Sequence, residues 1–281
     1  RYYFRIVATN TNGVDGQPSD VATTVTNPSA PKNVLAVAVD SSTIRLTWNA
    51  NGTADKRYRI FGGSDSASLV FIDSTTVLAY NHAGLSSSTK YYYRLSAVNV
   101  LDVEGIKSPL VAAVTRPVPP QNLVATAIDS NAIDLSWNAA PHAAFYRIYE
   151  TTDSVYHFLD TTSALTYHVH SLSPSTRFSF IVSTVNTSVV ESQGSLPATA
   201  VTKPAKPINL SSSSLDTSRI SLVWSSGGGA NARYRIYRSP IDSGYTLIDS
   251  IPTTTYTAAL LSPSVRYYFK VSALNSIGVE G

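Results

Sequence analysis

Short runs of alternating apolar and polar residues recur along the chain and predict half-buried β-strands. Residues 44–48 (Ile-Arg-Leu-Thr-Trp) and 133–137 (Ile-Asp-Leu-Ser-Trp) each place every second side chain on one face. Because successive side chains of a strand point to opposite faces, one face of each run meets a core. Turn-forming residues separate the runs, and no apolar pattern with a 3.6-residue period lasts long enough for a helix. The pattern predicts an all-β protein.

The strand pattern repeats with a period close to 88 residues. Three tryptophans spaced 89 and 87 residues apart mark this period: Trp48, Trp137 and Trp224. A Tyr-Arg-Ile triplet recurs with the same period, starting at Tyr58, Tyr146 and Tyr234. About seven short strands per repeat, with one Trp early in each, are typical of a small antiparallel β-sandwich.

The order of landmarks within a repeat resembles a known module. The second repeat has Pro120, Trp137, a Tyr-Arg-Ile-Tyr run at 146–149 and a Leu-Ser-Pro-Ser-Thr-Arg-Phe run at 172–178. This order resembles the fibronectin type III module, as do the equivalent residues of the other repeats. The resemblance implies tandem immunoglobulin-like antiparallel β-sandwiches. Residues 234–239 and 268–275 are similar to modules of secreted bacterial proteins, which implies a bacterial source and an extracellular or cell-surface location.

We expect four segments along the chain. They are a partial module at 1–27 with strands F and G only, complete modules at 31–116 and 120–203, and a module at 207–281 that lacks strand G. Two hypotheses explain why the first and the last of these segments are incomplete modules. Either the chain is a window cut from a longer array of modules, or identical chains share strands head to tail and build a filament.

The family's tyrosine corner, a Tyr hydroxyl that bonds to backbone near the start of strand F, is expected at Tyr2, Tyr91 and Tyr267. The second repeat has Phe178 at this position, which carries no hydroxyl. Since a buried backbone group would then need another partner, we predict that the second repeat is the least stable of the complete modules.

Composition and charge exclude several classes of function. Charged residues make up 14% of the chain and the net charge is +3. Charge this dilute lacks the clustered basic footprint that nucleic acid or anionic lipid selects. The absence of Cys excludes disulfides and thiolate metal sites. No apolar run reaches the ~18 residues of a membrane span. We therefore expect no nucleic-acid partner and no membrane span in this segment.

The residues that could carry chemistry fit structural roles better. Thirteen of the 18 acidic residues occupy positions that repeat between modules, where a catalytic pair is not expected. His168 and His170 share a strand face, but two imidazoles are too few for a metal site. Residues 227–232 match a G-x-G-x-x-A phosphate loop, yet they lead into a predicted strand and not a helix. The sequence predicts no catalytic residue, no metal site and no cofactor.

The feature most able to bind a partner is a repeated stripe of cationic and aromatic side chains. Alternation in strands C and F turns six side chains outward in the first and third repeats: Arg59, Tyr92, Arg94, Arg235, Tyr268 and Lys270. An Arg beside a Tyr either forms a cross-strand stacking pair that keeps the face soluble, or offers a platform for polysaccharide or cell-surface glycan. Ser179 and Ile181 interrupt the stripe in the second repeat.

These observations favour a non-catalytic extracellular structural or adhesive segment, which would act as a spacer, stalk or filament building block. Its partners would be neighbouring modules of the same or identical chains. Two alternatives stay open, an accessory module array of a secreted polysaccharide-degrading enzyme and a glycan-binding surface.

Overall fold

The structure is a computed structural model that describes residues 2–52, 55–151 and 153–281. Within this part of the chain every regular element is a β-strand, which confirms the all-β prediction, and no helix could cross a membrane. Arg1, the predicted start of the partial module, lies outside the described residues. The chain forms two compact units, Arg1–Arg116 and Pro117–Gly281.

The first unit contains a short hairpin and the first repeat. Strands β1 (Tyr2–Phe4) and β2 (Ala22–Thr24) pair antiparallel in the hairpin. The first repeat contains β3 (Lys32–Ala38), β4 (Ile44–Asn49), β5 (Asp55–Gly63), β6 (Val70–Thr75), β7 (Ala79–His82), β8 (Lys90–Asn99) and β9 (Val111–Val114). These strands form one sheet of order β3-β4-β7 and another of order β6-β5-β8-β9. The two sheets are the layers of a sandwich, with strand β8 in the place of strand F.

The second unit contains two further repeats. The second repeat contains β10 (Val124–Ala127), β11 (Ile133–Ser136), β12 (Phe145–Thr151), β13 (His157–Thr162), β14 (Thr166–Val169), β15 (Arg177–Val185) and β16 (Ala198–Val201). The third contains β17 (Ile208–Ser214), β18 (Ile220–Ser225), β19 (Asn231–Ser239), β20 (Thr246–Ile251), β21 (Thr255–Ala258) and β22 (Tyr268–Asn275). Their sheets have the orders β10-β11-β14, β13-β12-β15-β16, β17-β18-β21 and β20-β19-β22.

Each repeat has its own core between its two sheets. In β4, Ile44, Leu46 and Trp48 are buried, whereas the intervening Arg45 is exposed. Trp48 meets Tyr58 of β5 edge to face, with ring centroids 5.5 Å apart. The equivalent pairs in the other two repeats have the same separation and the same edge-to-face arrangement: Trp137 with Tyr146, and Trp224 with Tyr234. The aromatic pair therefore joins the two sheets in all three repeats.

The repeated Asp residues stabilise turns, as expected. The Oδ1 atom of Asp40 accepts a hydrogen bond from the N–H of Ser42 at 2.7 Å. Asp129 and Asp216 accept the N–H two residues further on at 2.8 Å and 2.9 Å. Such side chain to backbone bonds close the turn between the first two strands of each repeat. The Ser42 N–H also holds the pKa of Asp40 below its ordinary value.

The tyrosine corner is present in two repeats. The hydroxyl of Tyr91 accepts the N–H of Ser86 at 3.0 Å, and that of Tyr267 accepts the N–H of Ser262 at 3.1 Å. In the second repeat Phe178 is buried, and Ser173, five residues earlier as in the other two corners, is exposed to solvent. Ser86 and Ser262 of the two intact corners are exposed as well, so an unsatisfied backbone group in the second repeat stays a prediction. Low stability of the second repeat stays a prediction.

Replacing Phe178 by Tyr supplies the missing corner. We expect Phe178→Tyr to stabilise the second repeat by about 0.5–1.5 kcal/mol, the net worth of one hydrogen bond. Hydrogen exchange of peptides from each repeat of the full chain measures the change. The reverse substitution Tyr91→Phe is the matched control and should lower the stability of the first repeat by a similar amount. Unchanged protection in both variants would show that the corner contributes nothing.

Two exposed apolar residues occupy left-handed backbone. Val189 has φ 59° and its side chain is 71% exposed, whereas the turns of the hairpin and the third repeat have Gly13 and Gly278 in left-handed backbone. Leu260 has φ 57° and is 96% exposed, whereas the first repeat uses Gly84. Because a Cβ crowds the following carbonyl in this conformation, non-glycine residues are strained there by about 1–2 kcal/mol.

Relieving this strain should stabilise the second repeat. We expect Val189→Gly to raise its free energy of unfolding by about 1 kcal/mol, since the strain of a β-branched residue exceeds the entropic cost of glycine. Urea unfolding followed by repeat-resolved hydrogen exchange measures the gain. Val155→Gly, at an exposed position of the same repeat without positive φ, should instead destabilise it. A loss of stability in both variants would contradict the prediction.

Candidate functional site

The predicted stripe lies on the outer face of the four-stranded sheet in the first repeat. Alternation along β8 buries Tyr93 and Leu95 and leaves Tyr92 and Arg94 half-buried on the other face. On the neighbouring β5, Arg59 points to the same side, since Tyr58 and Ile60 are in the core. The three stripe residues of this repeat therefore share one surface.

The cations of this surface are already engaged. Arg59 donates from Nη1 to Glu104 Oε2 at 2.5 Å, and its guanidinium carbon lies 4.9 Å from the ring centre of Phe71. Arg94 donates from Nη1 to the carbonyl oxygen of Ser108 at 3.1 Å. Lys90 Nζ lies 5.2 Å from the ring centre of Tyr92. Each of the three stripe residues is thus engaged by a neighbour outside the stripe: Arg59 by Glu104 and Phe71, Arg94 by Ser108, and Tyr92 by Lys90.

The third repeat shares the Arg–Glu pair of the first, whereas its second cation has a different partner. Arg235 Nη1 donates to Glu280 Oε2 at 2.5 Å, and Lys270 Nζ lies 4.0 Å from the ring centre of Tyr245. Tyr268 pairs with Ser239 across the sheet and is half-buried. The structure thus brings the six stripe residues together in two groups of three, one in each compact unit.

A carboxylate network, which the sequence analysis missed, underlies the stripe. Glu191 of the second repeat accepts hydrogen bonds from Arg147 Nη1 at 2.5 Å, Ser183 Oγ at 2.5 Å and Tyr149 Oη at 2.6 Å. The network recurs in the first repeat as Arg59, Ser96 and Glu104, and in the third as Arg235, Ser272, Tyr237 and Glu280. Although Ser179 and Ile181 interrupt the stripe, the second repeat keeps this network. The signal in the sequence was an Arg in each Tyr-Arg-Ile triplet followed by a Glu 44 or 45 residues later.

The turn after strand F places each Glu above its sheet. Asn186 Oδ1 accepts the N–H groups of Ser188 and Val190 at 3.0 Å and 2.9 Å, and Glu191 then pairs with Val185 in an isolated bridge. The same turn recurs with the other residues at this position: Asn10, Asn99 and Asn275. A side chain that locks the turn from within therefore fixes where the carboxylate returns to the sheet.

The network keeps the glutamates ionised. Burial acts to raise the pKa of Glu191, but the hydrogen bonds from Ser183, Tyr149 and Arg147 outweigh it and hold the pKa below the ordinary 4.5. Burial acts in the same way on Glu104 and Glu280, where hydrogen bonds from Ser96 and Ser272 lead the opposing contributions and the pKa is again lowered. A carboxylate held in this way is a structural acceptor, whereas a general acid at neutral pH needs a raised pKa.

The remaining candidates do not assemble a reactive site. His168 Nδ1 lies 2.6 Å from Asp134 Oδ1, and His170 Nδ1 lies 3.0 Å from Ser171 Oγ. Among the described residues no group of three or more His, Asp or Glu side chains is placed to hold a metal ion. The glycines at 227–229 precede strand β19, and Gly227 lies against the backbone of Lys206, so this loop forms no open phosphate cradle.

Removing one carboxylate should test the network. We expect Glu191→Gln to destabilise the second repeat by about 1–3 kcal/mol near neutral pH, because the buried donors lose a charged acceptor. Since the lowered pKa contributes stability above pH 4.5 that is lost as the pH falls, the difference from the unmodified chain should shrink below that pH. Repeat-resolved hydrogen exchange at both pH values measures the effect. Asp20→Asn removes the same charge at an exposed position and should change neither value.

Comparison with known proteins agrees with this architecture. The structure defines a class of protein built from tandem antiparallel β-sandwiches whose polar outer faces are paired internally. The family model described as the fibronectin type III domain matches residues 118–201 and 204–281, which is more than half of the chain. The chain belongs to the fibronectin type III family.

The chain is also similar to parts of larger proteins. It is 24% identical to exoglucanase B of Cellulomonas fimi over 90% of this chain and 24% of that protein. It is 25% identical to receptor-type tyrosine-protein phosphatase eta of Gallus gallus over 96% of this chain and 19% of that protein. An alpha-amylase of Niallia circulans is 35% identical over 34% of this chain and 7% of that protein. The chain thus spans a quarter or less of the length of these relatives.

Among solved structures, the two-domain fibronectin type III segment of chicken tenascin aligns over 62% of this chain and 99% of its own, with 17% identity and a TM-score of 0.38. The FN1–FN3 domains of chicken CNTN1 align over 90% of this chain and 95% of their own, with 19% identity and a TM-score of 0.31.

Proposed function

We propose that this chain is a non-catalytic, extracellular or cell-surface spacer or stalk in a bacterial protein. The observation that carries the proposal is the Arg–Glu–Ser network, which occupies the same outer sheet face in all three repeats. A catalytic or ligand site needs polar groups left available for another molecule, whereas these groups satisfy one another. The similarity to parts of exoglucanase B and alpha-amylase, both from bacteria, supports a bacterial source.

Under this proposal the chain has neighbouring modules of the same or identical chains as partners, and no nucleic acid. Independently packed cores suit such a role, because each repeat can stay folded and keep its neighbours apart without a bound ligand. The proposal includes the predicted module boundaries at 1–27, 31–116, 120–203 and 207–281. The spacer and the filament building block are two forms of the same proposal.

Light scattering of the purified chain across a concentration series, with electron microscopy of the same samples, tests the spacer against the filament. For a spacer we expect the mass of one chain at every concentration and no fibres. A mass that rises with concentration, together with fibres, would instead support a filament in which strands pair between chains.

The comparisons favour a second candidate, an accessory module array of a secreted polysaccharide-degrading enzyme. Two relatives with similarity to this chain are named exoglucanase B and alpha-amylase. The sequence that flanks this segment in its parent protein distinguishes the two candidates. An adjoining catalytic domain would support the enzyme array, and further repeats of this length would support the stalk.

Glycan binding by the stripe is a third candidate function. Co-sedimentation with insoluble cellulose and starch tests it on the full chain and on the double variant Tyr92→Ala and Tyr268→Ala. For a spacer we expect no saturable binding by either protein. Binding that is saturable in the unmodified chain and lost in the double variant would establish the stripe as a glycan site.

A further inference from the structure

The core of the first repeat differs from the others at one position on the F strand. Tyr93 of β8 is fully buried, with 0% of its side chain exposed. Sheet register places Phe180 and Phe269 at the equivalent position of the second and third repeats. Only the first repeat therefore carries a hydroxyl at this point of its core.

The ring of Tyr93 packs closely against the backbone of the neighbouring strand. A Cβ atom on Gly62, the cross-strand neighbour of Tyr93, would lie 2.6 Å from Tyr93 Cδ1 and 2.7 Å from Ile72 Cδ1. The equivalent residues in the other repeats, Glu150 and Arg238, lie opposite a phenylalanine. Glycine at 62 is required by the close approach of the Tyr93 ring.

The hydroxyl of Tyr93 has a hydrogen-bond partner in His82. Tyr93 Oη lies 3.0 Å from His82 Nδ1, and among the described residues this is the hydrogen bond that it makes. The pairings of β4, β11 and β18 show that Val169 and Ala258 occupy the place of His82 in the other repeats. Gly62, His82 and Tyr93 thus differ together from their counterparts, as a matched set.

The surroundings of His82 are aromatic. The ring centres of Tyr80, Tyr91 and Tyr93 lie 6.4, 6.3 and 5.7 Å from that of the imidazole. These three tyrosines are titratable groups that face His82 from its own strand β7 and from β8. Burial, and after it the carboxylate of Asp73 on β6, raises the pKa of Tyr80. Burial lowers the pKa of His82 below its ordinary 6.5 and raises that of Tyr93.

Protonation of His82 breaks this arrangement in two ways. When the proton of the neutral imidazole is on Nε2, Nδ1 accepts the hydrogen bond of the Tyr93 hydroxyl. In the imidazolium Nδ1 is a donor, so the hydroxyl can only accept from it, its own hydrogen loses this acceptor, and a positive charge lies on a half-buried ring. Because the folded state disfavours the charged form, the stability is complete above pH 6.5 and is lost as the pH falls below it.

We propose that Gly62, His82 and Tyr93 form a pH-sensitive element that loosens the first repeat, and not the second or third, on mild acidification. The element acts between pH 6.5 and pH 4.5. Below 6.5, the ordinary pKa of histidine, His82 destabilises the folded first repeat, and below 4.5, the ordinary pKa of glutamate, the glutamate networks of all three repeats begin to lose their contribution to stability. A spacer with one acid-sensitive repeat would lengthen or become open to proteolysis in mildly acidic surroundings while its other repeats stay folded.

Repeat-resolved hydrogen exchange of the full chain across this pH range tests the proposal, with rates corrected for intrinsic exchange. We expect the opening constant of the first repeat to rise by up to about tenfold per pH unit, the limit for one titrating group. The double variant His82→Val and Tyr93→Phe, which copies the second repeat, should abolish the rise. His168→Val, at an exposed strand histidine of the second repeat, is the control and should leave it unchanged.

A second measurement keeps the proposal testable if the double variant fails to fold. The chain has five histidines, so NMR titration of the imidazole protons resolves His82 once a His82→Gln spectrum identifies its signal. We expect His82 to titrate below 6.5. Titration at or above that value would overturn the proposal, as would a loss of protection in the first repeat that merely parallels the second.

Discussion

The contact on which each repeat depends is the edge-to-face packing of one Trp on one Tyr. Trp48 lies on β4 of the smaller sheet and Tyr58 on β5 of the larger one, so their contact holds the two layers together. The indole N–H groups of Trp48, Trp137 and Trp224 make no hydrogen bond among the described residues. Apolar packing, worth about 1.5–3 kcal/mol per fully buried large side chain, must therefore hold these rings in place.

The outer face of the larger sheet is organised around this core. Once Tyr58 and Ile60 are committed to the interior, Arg59 between them has to point outward. The locked turn after strand F then brings Glu104 back over Arg59, where Ser96 also donates to it. The recurrence of this pairing in three repeats shows that these polar groups of the outer face satisfy one another within each repeat.

The three repeats share this frame but vary within it. The second repeat keeps the carboxylate network while it lacks the Tyr of the corner, and it carries Val189 in strained backbone where Gly13 and Gly278 occur elsewhere. The first repeat exchanges an apolar pair for a histidine and a tyrosine in its core. A sandwich held by many apolar contacts tolerates such local changes, so equivalent positions of neighbouring repeats can carry different residues.

Alternation and spacing along the chain were enough to predict the all-β class, the three repeats and many residues of the core. Alternation with a period of two reports which face of a strand each side chain occupies, so Ile44, Leu46 and Trp48 could be assigned to the interior. The outward direction of Arg59 followed from the same rule. The repeated Asp residues could be assigned to turns, because their hydrogen bonds reach only two residues along the chain.

Contacts between residues far apart in the sequence became known from the folded arrangement of the strands. Arg147 and Glu191 are 44 residues apart, and Tyr93 meets His82 across the two sheets. Periodicity describes one strand at a time, whereas such contacts depend on the order and register of strands and on the path of each turn, which the packing of both sheets sets together.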